Sequence, residues 1–170
     1  MLHSAPFCMG IAHNRGNAFW VFNGDAGSID DVDFVEPHVA GGEEHGDGRI
    51  RRFVAGQVAR VANVPSHLAF DSDSAFLYIA DTGNARILRF DDITGSNPIA
   101  IGAFGDVILT NYNGMLRVPP PGMFNNPVGV WVNPQGNIIY VNDAIPVSYP
   151  PVAVANLVAS FRVGPAGLLP

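Results

Sequence analysis

Three times along the chain a short apolar stretch is followed by a polar turn and then by a second stretch rich in aromatic and β-branched residues. The first copy runs from Met9 to Asn23, the second from His67 to Asp91 and the third from Gly129 to Asp143. Side chains alternate faces along a strand, and strands covered on both faces read as nearly unbroken apolar runs. Phe76-Leu77-Tyr78-Ile79-Ala80 and Ile138-Ile139-Tyr140-Val141 are such runs. Asp73-Ser74 and Gln135-Gly136-Asn137 supply the chain reversals, where a side chain can bond its own backbone or a Cβ is missing. The pattern predicts antiparallel sheet throughout.

The aromatic anchors Trp20, Tyr78 and Tyr140 lie 58 and 62 residues apart. Common sheet-forming repeat units take about 40–50 residues, so each copy carries an insertion. One insertion spans Asp30–Gly48 and is acidic; the other spans Thr94–Phe124 and is rich in Gly, Asn and Pro. Both read as long loops, the places where binding surface concentrates.

Composition narrows the class further. Apolar residues make up 48% and charged residues only 14%, with 19 Gly and 14 Pro, a balance that suits a turn-rich β protein better than a helical bundle or a disordered chain. All nine basic residues are arginine, and the net charge is -6. Without lysine there is no Schiff base and no P-loop, and without a basic patch nucleic acid is not an expected partner. Cys8, the single cysteine, reads as a small buried hydrophobe. No stretch approaches the roughly 18 apolar residues that a membrane helix needs, and the first residues lack the pattern of a signal peptide. The compartment is open; if the chain is a piece of a longer propeller, the reading leans to the extracytoplasmic side.

In the second copy, Pro65-Ser66-His67-Leu68-Ala69-Phe70-Asp71 and Leu77-Tyr78-Ile79-Ala80-Asp81-Thr82-Gly83-Asn84-Ala85-Arg86-Ile87 follow one another. This wording resembles an NHL repeat, and the third copy resembles its first half through Asn126-Pro127-Val128-Gly129-Val130 and Ile139-Tyr140-Val141-Asn142-Asp143. The first copy diverges most, with Asn23 at the aspartate position. The resemblance implies an all-β, NHL-type β-propeller of about three four-stranded blades, near residues 7–60, 61–124 and 125–170, forming one partial domain of a ring that often has six. It also implies a structural role for Asp81, Thr82, Asn84 and Arg86 within the blade. An open ring leaves an edge through which copies of the chain would associate.

Candidate chemistry centres on histidine, the commonest metal ligand. His13, His38, His45 and His67 all lie in the first 67 residues, and His67 stands where the blade formula has glycine, at the entry to the innermost strand. The acidic insertion brings His38 and His45 together with Glu43, Glu44 and Asp47, a set that would wrap Zn²⁺, serve as a weak Ca²⁺ site or remain a plain polar loop. The amidating lyases that cleave peptidyl-hydroxyglycine resemble NHL propellers. That resemblance implies a channel zinc held by His67 with His38 or His45, assisted by Arg49, Arg51 or Tyr78. Two functions follow. The first is a binding module that recognises a protein, peptide or glycan through its loops, with His67, His13, Tyr78, Arg49 and Arg51 facing the ligand. The second is a metal-dependent lyase or hydrolase with its site at the channel mouth.

Overall fold

The computed structural model describes residues 7–36, 40, 48–90, 95–101, 107–112, 116–118, 122–135, 138–144, 156–164 and 167–169. Its strands are β1 (Cys8–Arg15), β2 (Ala18–Asn23), β3 (Ser28–Asp33), β4 (Arg49–Phe53), β5 (Leu68–Asp71), β6 (Phe76–Asp81), β7 (Arg86–Phe90), β8 (Gly95–Ile101), β9 (Val107–Tyr112), β10 (Leu116–Val118), β11 (Pro127–Val132), β12 (Ile138–Ala144), β13 (Asn156–Gly164) and β14 (Gly167–Leu169). The helical element among the described residues is a 3-10 turn, Thr82–Asn84. No helix there is long and apolar enough to cross a membrane.

Three sheets form, in the orders β1-β2-β3-β4-β9-β8, β10-β7-β6-β5 and β11-β12-β13-β14. Every pairing within them is antiparallel except that of β4 with β9. The all-β expectation therefore holds. Both insertions differ from the loops expected of them. Ser28–Asp33 is strand β3, so the acidic insertion begins inside a sheet, and Thr94–Phe124 contains β8, β9 and β10. The β8–β9 hairpin extends the first sheet beyond β4, with Arg51 opposite Val107 and Arg52 opposite Ile108.

The sheets stack through side chains that alternate along their central strands. Trp20 and Phe22 of β2 pack against Leu77 and Ile79 of β6, with Phe53, Leu88 and Phe90 filling the space between. The rings of Trp20, Phe53 and Phe90 meet edge to face at 5.4–5.7 Å, the arrangement their quadrupoles favour. The opposite face of β6 presents Tyr78 and Ala80 to Val130, Ile139 and Val141 of the third sheet. The second sheet is thus covered on both faces, which explains why its central strand is unbroken apolar sequence.

One position recurs near the end of each second strand and bonds nearby backbone: the turn that follows it in the first repeat, and the chain entering the repeat in the second and third. Asn23 accepts from the backbone N–H groups of Asp25 and Ala26. Asp81 accepts from Ala59 N–H at 2.7 Å, from Asn84, and from Arg86 Nε at 2.6 Å. Asp143 accepts from the N–H groups of Asn125 and Asn126. Thr82 Oγ1 donates to the carbonyl of Pro127 at 2.7 Å and so links the second sheet to the start of the third. Cys8, expected to be buried, is exposed, because β1 is the edge strand of its sheet.

Candidate functional site

Strand β5 lies beside both β1 and β11, so the three first strands of the repeats form one wall. Along it runs a cavity of about 420 Å³, lined by Ala12, Asn14, His67, Ala69, Phe70, Val130, Trp131 and neighbouring positions. This volume lies in the range of small-ligand and side-chain pockets, about 300–1,000 Å³. Trp131 is 53% exposed, unusual for an indole, and its ring packs at 5.2 Å on that of Tyr140, itself 37% exposed. Behind the pair, a smaller cavity of about 240 Å³ is bounded by His67, Gly129, Tyr140 and Asn142.

His67 stands between the two cavities, exposed, just before β5. Its Nδ1 lies 2.9 Å from the carbonyl oxygen of Val130. A carbonyl can only accept, so Nδ1 carries the proton and Nε2 of the neutral ring keeps its lone pair. From the sequence His67 is expected at the entry to the innermost strand, facing the channel mouth; in the structure it directly precedes β5 and borders both cavities.

His13 also borders the larger cavity, but its imidazole is engaged elsewhere. Its Nε2 donates to the carbonyl of Gly16 at 3.0 Å, and its ring meets Phe19 at 5.5 Å. Tyr78 does not face a ligand: it is 0% exposed, packed between the second and third sheets. Burial pushes its pKa up, with nearby Arg89 opposing, and among the described residues no group stands in good hydrogen-bond geometry to its hydroxyl. His38 and His45 lie outside the described residues. Among the described residues, no group of three or more His, Cys, Asp or Glu side chains is placed to hold a metal.

Arg49 and Arg51 line a separate cavity of about 400 Å³ with Arg15, Asp31, Asp33 and Ile50. Asp31 is fully buried and accepts from Arg51, from Arg15 at 3.3 Å and from Asn14 at 3.1 Å. Its neighbour Asp30, on the other face of β3, accepts from Arg52 at 2.9 Å and from Asn23 and Ser28. These two carboxylates are therefore internal partners of arginine. Arg15 was not singled out from the sequence. The signal for it was a pattern of charge: acids on β3 that need cations from strands on either side.

No family model and no curated protein matches the sequence. Solved structures do resemble the fold. One is a chain of a nidogen/laminin complex, with a TM-score of 0.52, 15% identity, and 82% of this chain on 40% of that one. Another is a chain provisionally described as a 6-phosphogluconolactonase from Bacteroides uniformis, with a TM-score of 0.52, 13% identity, and 95% of this chain on 39% of that one. Both are β-propellers, and the fold of this chain is of that type. The chain spans about two fifths of the length of either.

Proposed function

We propose that the chain is an NHL-type propeller module that binds a partner protein through an extended segment laid along the channel wall. One observation carries this reading: Trp131 presents a half-exposed indole in a cavity walled by the first strands of all three repeats. Exposed aromatic anchors in concave, pre-formed sites dominate protein recognition, because a large rigid surface is desolvated at small cost in side-chain entropy. His67 adds directional chemistry beside it. With Nδ1 bound to Val130, its Nε2 accepts a hydrogen bond from the N–H of a bound segment. The likeness to a chain from a nidogen/laminin complex, a propeller found with a protein partner, supports a protein ligand.

The test is selection of a displayed library of random linear peptides on the immobilised protein, followed by titration of the enriched sequences. Enriched peptides are expected to bind the Trp131→Ala variant about tenfold more weakly, as loss of a central aromatic anchor does. His67→Ala weakens them less. Peptides that bind Trp131→Ala and wild type equally, or no enrichment above an unrelated propeller, overturn the reading.

A further inference from the structure

We infer that the smaller cavity behind the Trp131–Tyr140 pair is a cation subsite, and that the group it takes is the ammonium of a lysine side chain. The repeats themselves point to it. Ala12, Ala69 and Trp131 hold one position, opposite Trp20, Tyr78 and Tyr140, and two residues earlier stand Gly10, His67 and Gly129. This pattern of small residues is broken twice, at His67 in the second repeat and at Trp131 in the third, and both departures line the same cavity. Gly129 keeps to the pattern and leaves a notch: it shares a strand face with Trp131, and a Cβ added there would meet that of Asn142 at 3.3 Å.

The lining favours a cation. The rings of Trp131 and Tyr140, both exposed, stand 5.2 Å apart with a tilt of 43° and border the space. Ring faces carry the negative part of the aromatic quadrupole and attract an ammonium, most strongly where water is displaced. His67 has Nδ1 committed to the Val130 carbonyl, so its Nε2 offers a lone pair and no proton. Asn142, also in the lining, holds a buried Oδ1 without a hydrogen-bond partner, which leaves its partial negative charge uncompensated. None of the described residues lining the cavity is positively charged. By register, β13 sets Val158 opposite Asn142 and Ser160 opposite Tyr140, with Arg162 two residues further along, opposite Ile138.

Of the two cationic side chains, lysine fits better. A guanidinium is a planar fork that matches paired acceptors, whereas an ammonium is a compact charge on a four-carbon stem, satisfied here by ring faces and one imidazole nitrogen. All nine basic residues of the chain are arginine, so a lysine comes from a partner. His67 and Trp131 border the channel cavity as well, so a segment lying on the wall can send one side chain into the smaller space. As to where the lysine comes from, the inference rests on the peptide-binding reading of the wall; the pocket itself is testable without it.

The experiment follows the indole N–H signal of Trp131 by NMR as the protein is titrated with n-butylammonium chloride and, in parallel, with n-butylguanidinium chloride, n-butanol and sodium butyrate at constant ionic strength. The indole of Trp20, buried in the core, is the internal control for the fold. A saturable shift of the Trp131 signal is expected with n-butylammonium, at an affinity about tenfold above that for n-butanol or butyrate. Tyr140→Leu, which keeps apolar bulk and removes the ring, is expected to lower that affinity about fivefold, and Gly129→Ala, which fills the notch, to lower it as well. Equal affinity for n-butanol overturns the cation assignment, and tighter binding of n-butylguanidinium overturns the choice of lysine. Binding that both variants leave unchanged overturns the cavity as the site. Selected peptides that share no lysine, together with no shift by n-butylammonium, overturn this inference and leave the peptide reading standing. Saturation by n-butylammonium in a protein that selects no peptide upholds the pocket and removes only the source proposed for the lysine.

Discussion

Asp81 shows how much a single side chain can hold together in this fold. Its buried carboxylate gathers the Ala59 N–H, the Asn84 amide and Arg86, so it fixes the chain entering the second repeat and the turn leaving its second strand. Asp81→Ala leaves those donors facing a void, and removal of one partner from a buried pair costs about 3 kcal/mol or more. Urea unfolding is expected to show that loss, and Asn84→Ala a smaller one. Tyr78 is the opposite case, a buried hydroxyl with no well-aligned partner among the described residues. Tyr78→Phe is expected to leave stability at neutral pH unchanged or raise it by up to about 1 kcal/mol. The sign with pH is set by burial, which raises the Tyr78 pKa above its ordinary 10.0 in the folded state. The folded protein then holds its proton where the unfolded chain has released it, so stability is full below pH 10 and falls as pH rises towards the folded-state value. Urea midpoints measured from pH 9 to 11 are expected to decline more steeply in wild type than in Tyr78→Phe.

At the scale of elements, the junction of β1 with the segment before β5 is the closest backbone approach at any described glycine. A Cβ on Gly10 would stand 2.1 Å from the carbonyl oxygen of Ser66, whose N–H in turn bonds Met9. Gly10→Ala forces β1 off that segment and is expected to cost about 1–3 kcal/mol, the usual range for overpacking. Gly16, in the turn after β1, has φ +49 and open space around it, so Gly16→Ala separates backbone strain from steric conflict. A thermal melt in which Gly10→Ala matches the wild-type protein would show that β1 does not dock there. Strands with local pattern were legible in the sequence: β2, β6 and β12 are apolar runs bounded by turn residues. β3 was not, because Asp30 and Asp31 put charge on both of its faces and their arginine partners lie 22 and 20 residues further on. The β8–β9 hairpin was hidden for a related reason, since it joins the first sheet by parallel pairing across the whole second repeat's beginning. The site divides in the same way. His67 was legible as a departure from a repeat formula, whereas the arginine cavity exists only once β1, β3 and β4 are side by side.

For the whole molecule, the order of the sheets sets the order of their stability. In a stack of repeats each unit is held by its neighbours, so a unit covered on both faces resists opening longest. The second sheet is that unit. On one side it shares with the first sheet a core of interlocked aromatic rings, Trp20, Phe53 and Phe90, and on the other it covers the third sheet with Tyr78 and Ala80. The third sheet gains Val130, Ile139 and Val141 from that contact but leaves Trp131 and Tyr140 open on its far face. Tyr140 occupies the repeat position of Tyr78, which is 0% exposed, so the difference lies in what covers each ring. Native-state hydrogen exchange is therefore expected to protect the amides of β6 and β7 most strongly and those of β11 and β12 less. Phe90→Ala, at a typical cost of about 3–5 kcal/mol, is expected to lower protection in the first and second sheets together. Protection of β11 and β12 equal to that of β6, growing with protein concentration, would contradict this order and show that the Trp131–Tyr140 face is covered in solution by another copy. A concentration-independent difference between the sheets would leave that face free to meet the partner that Trp131 is proposed to anchor.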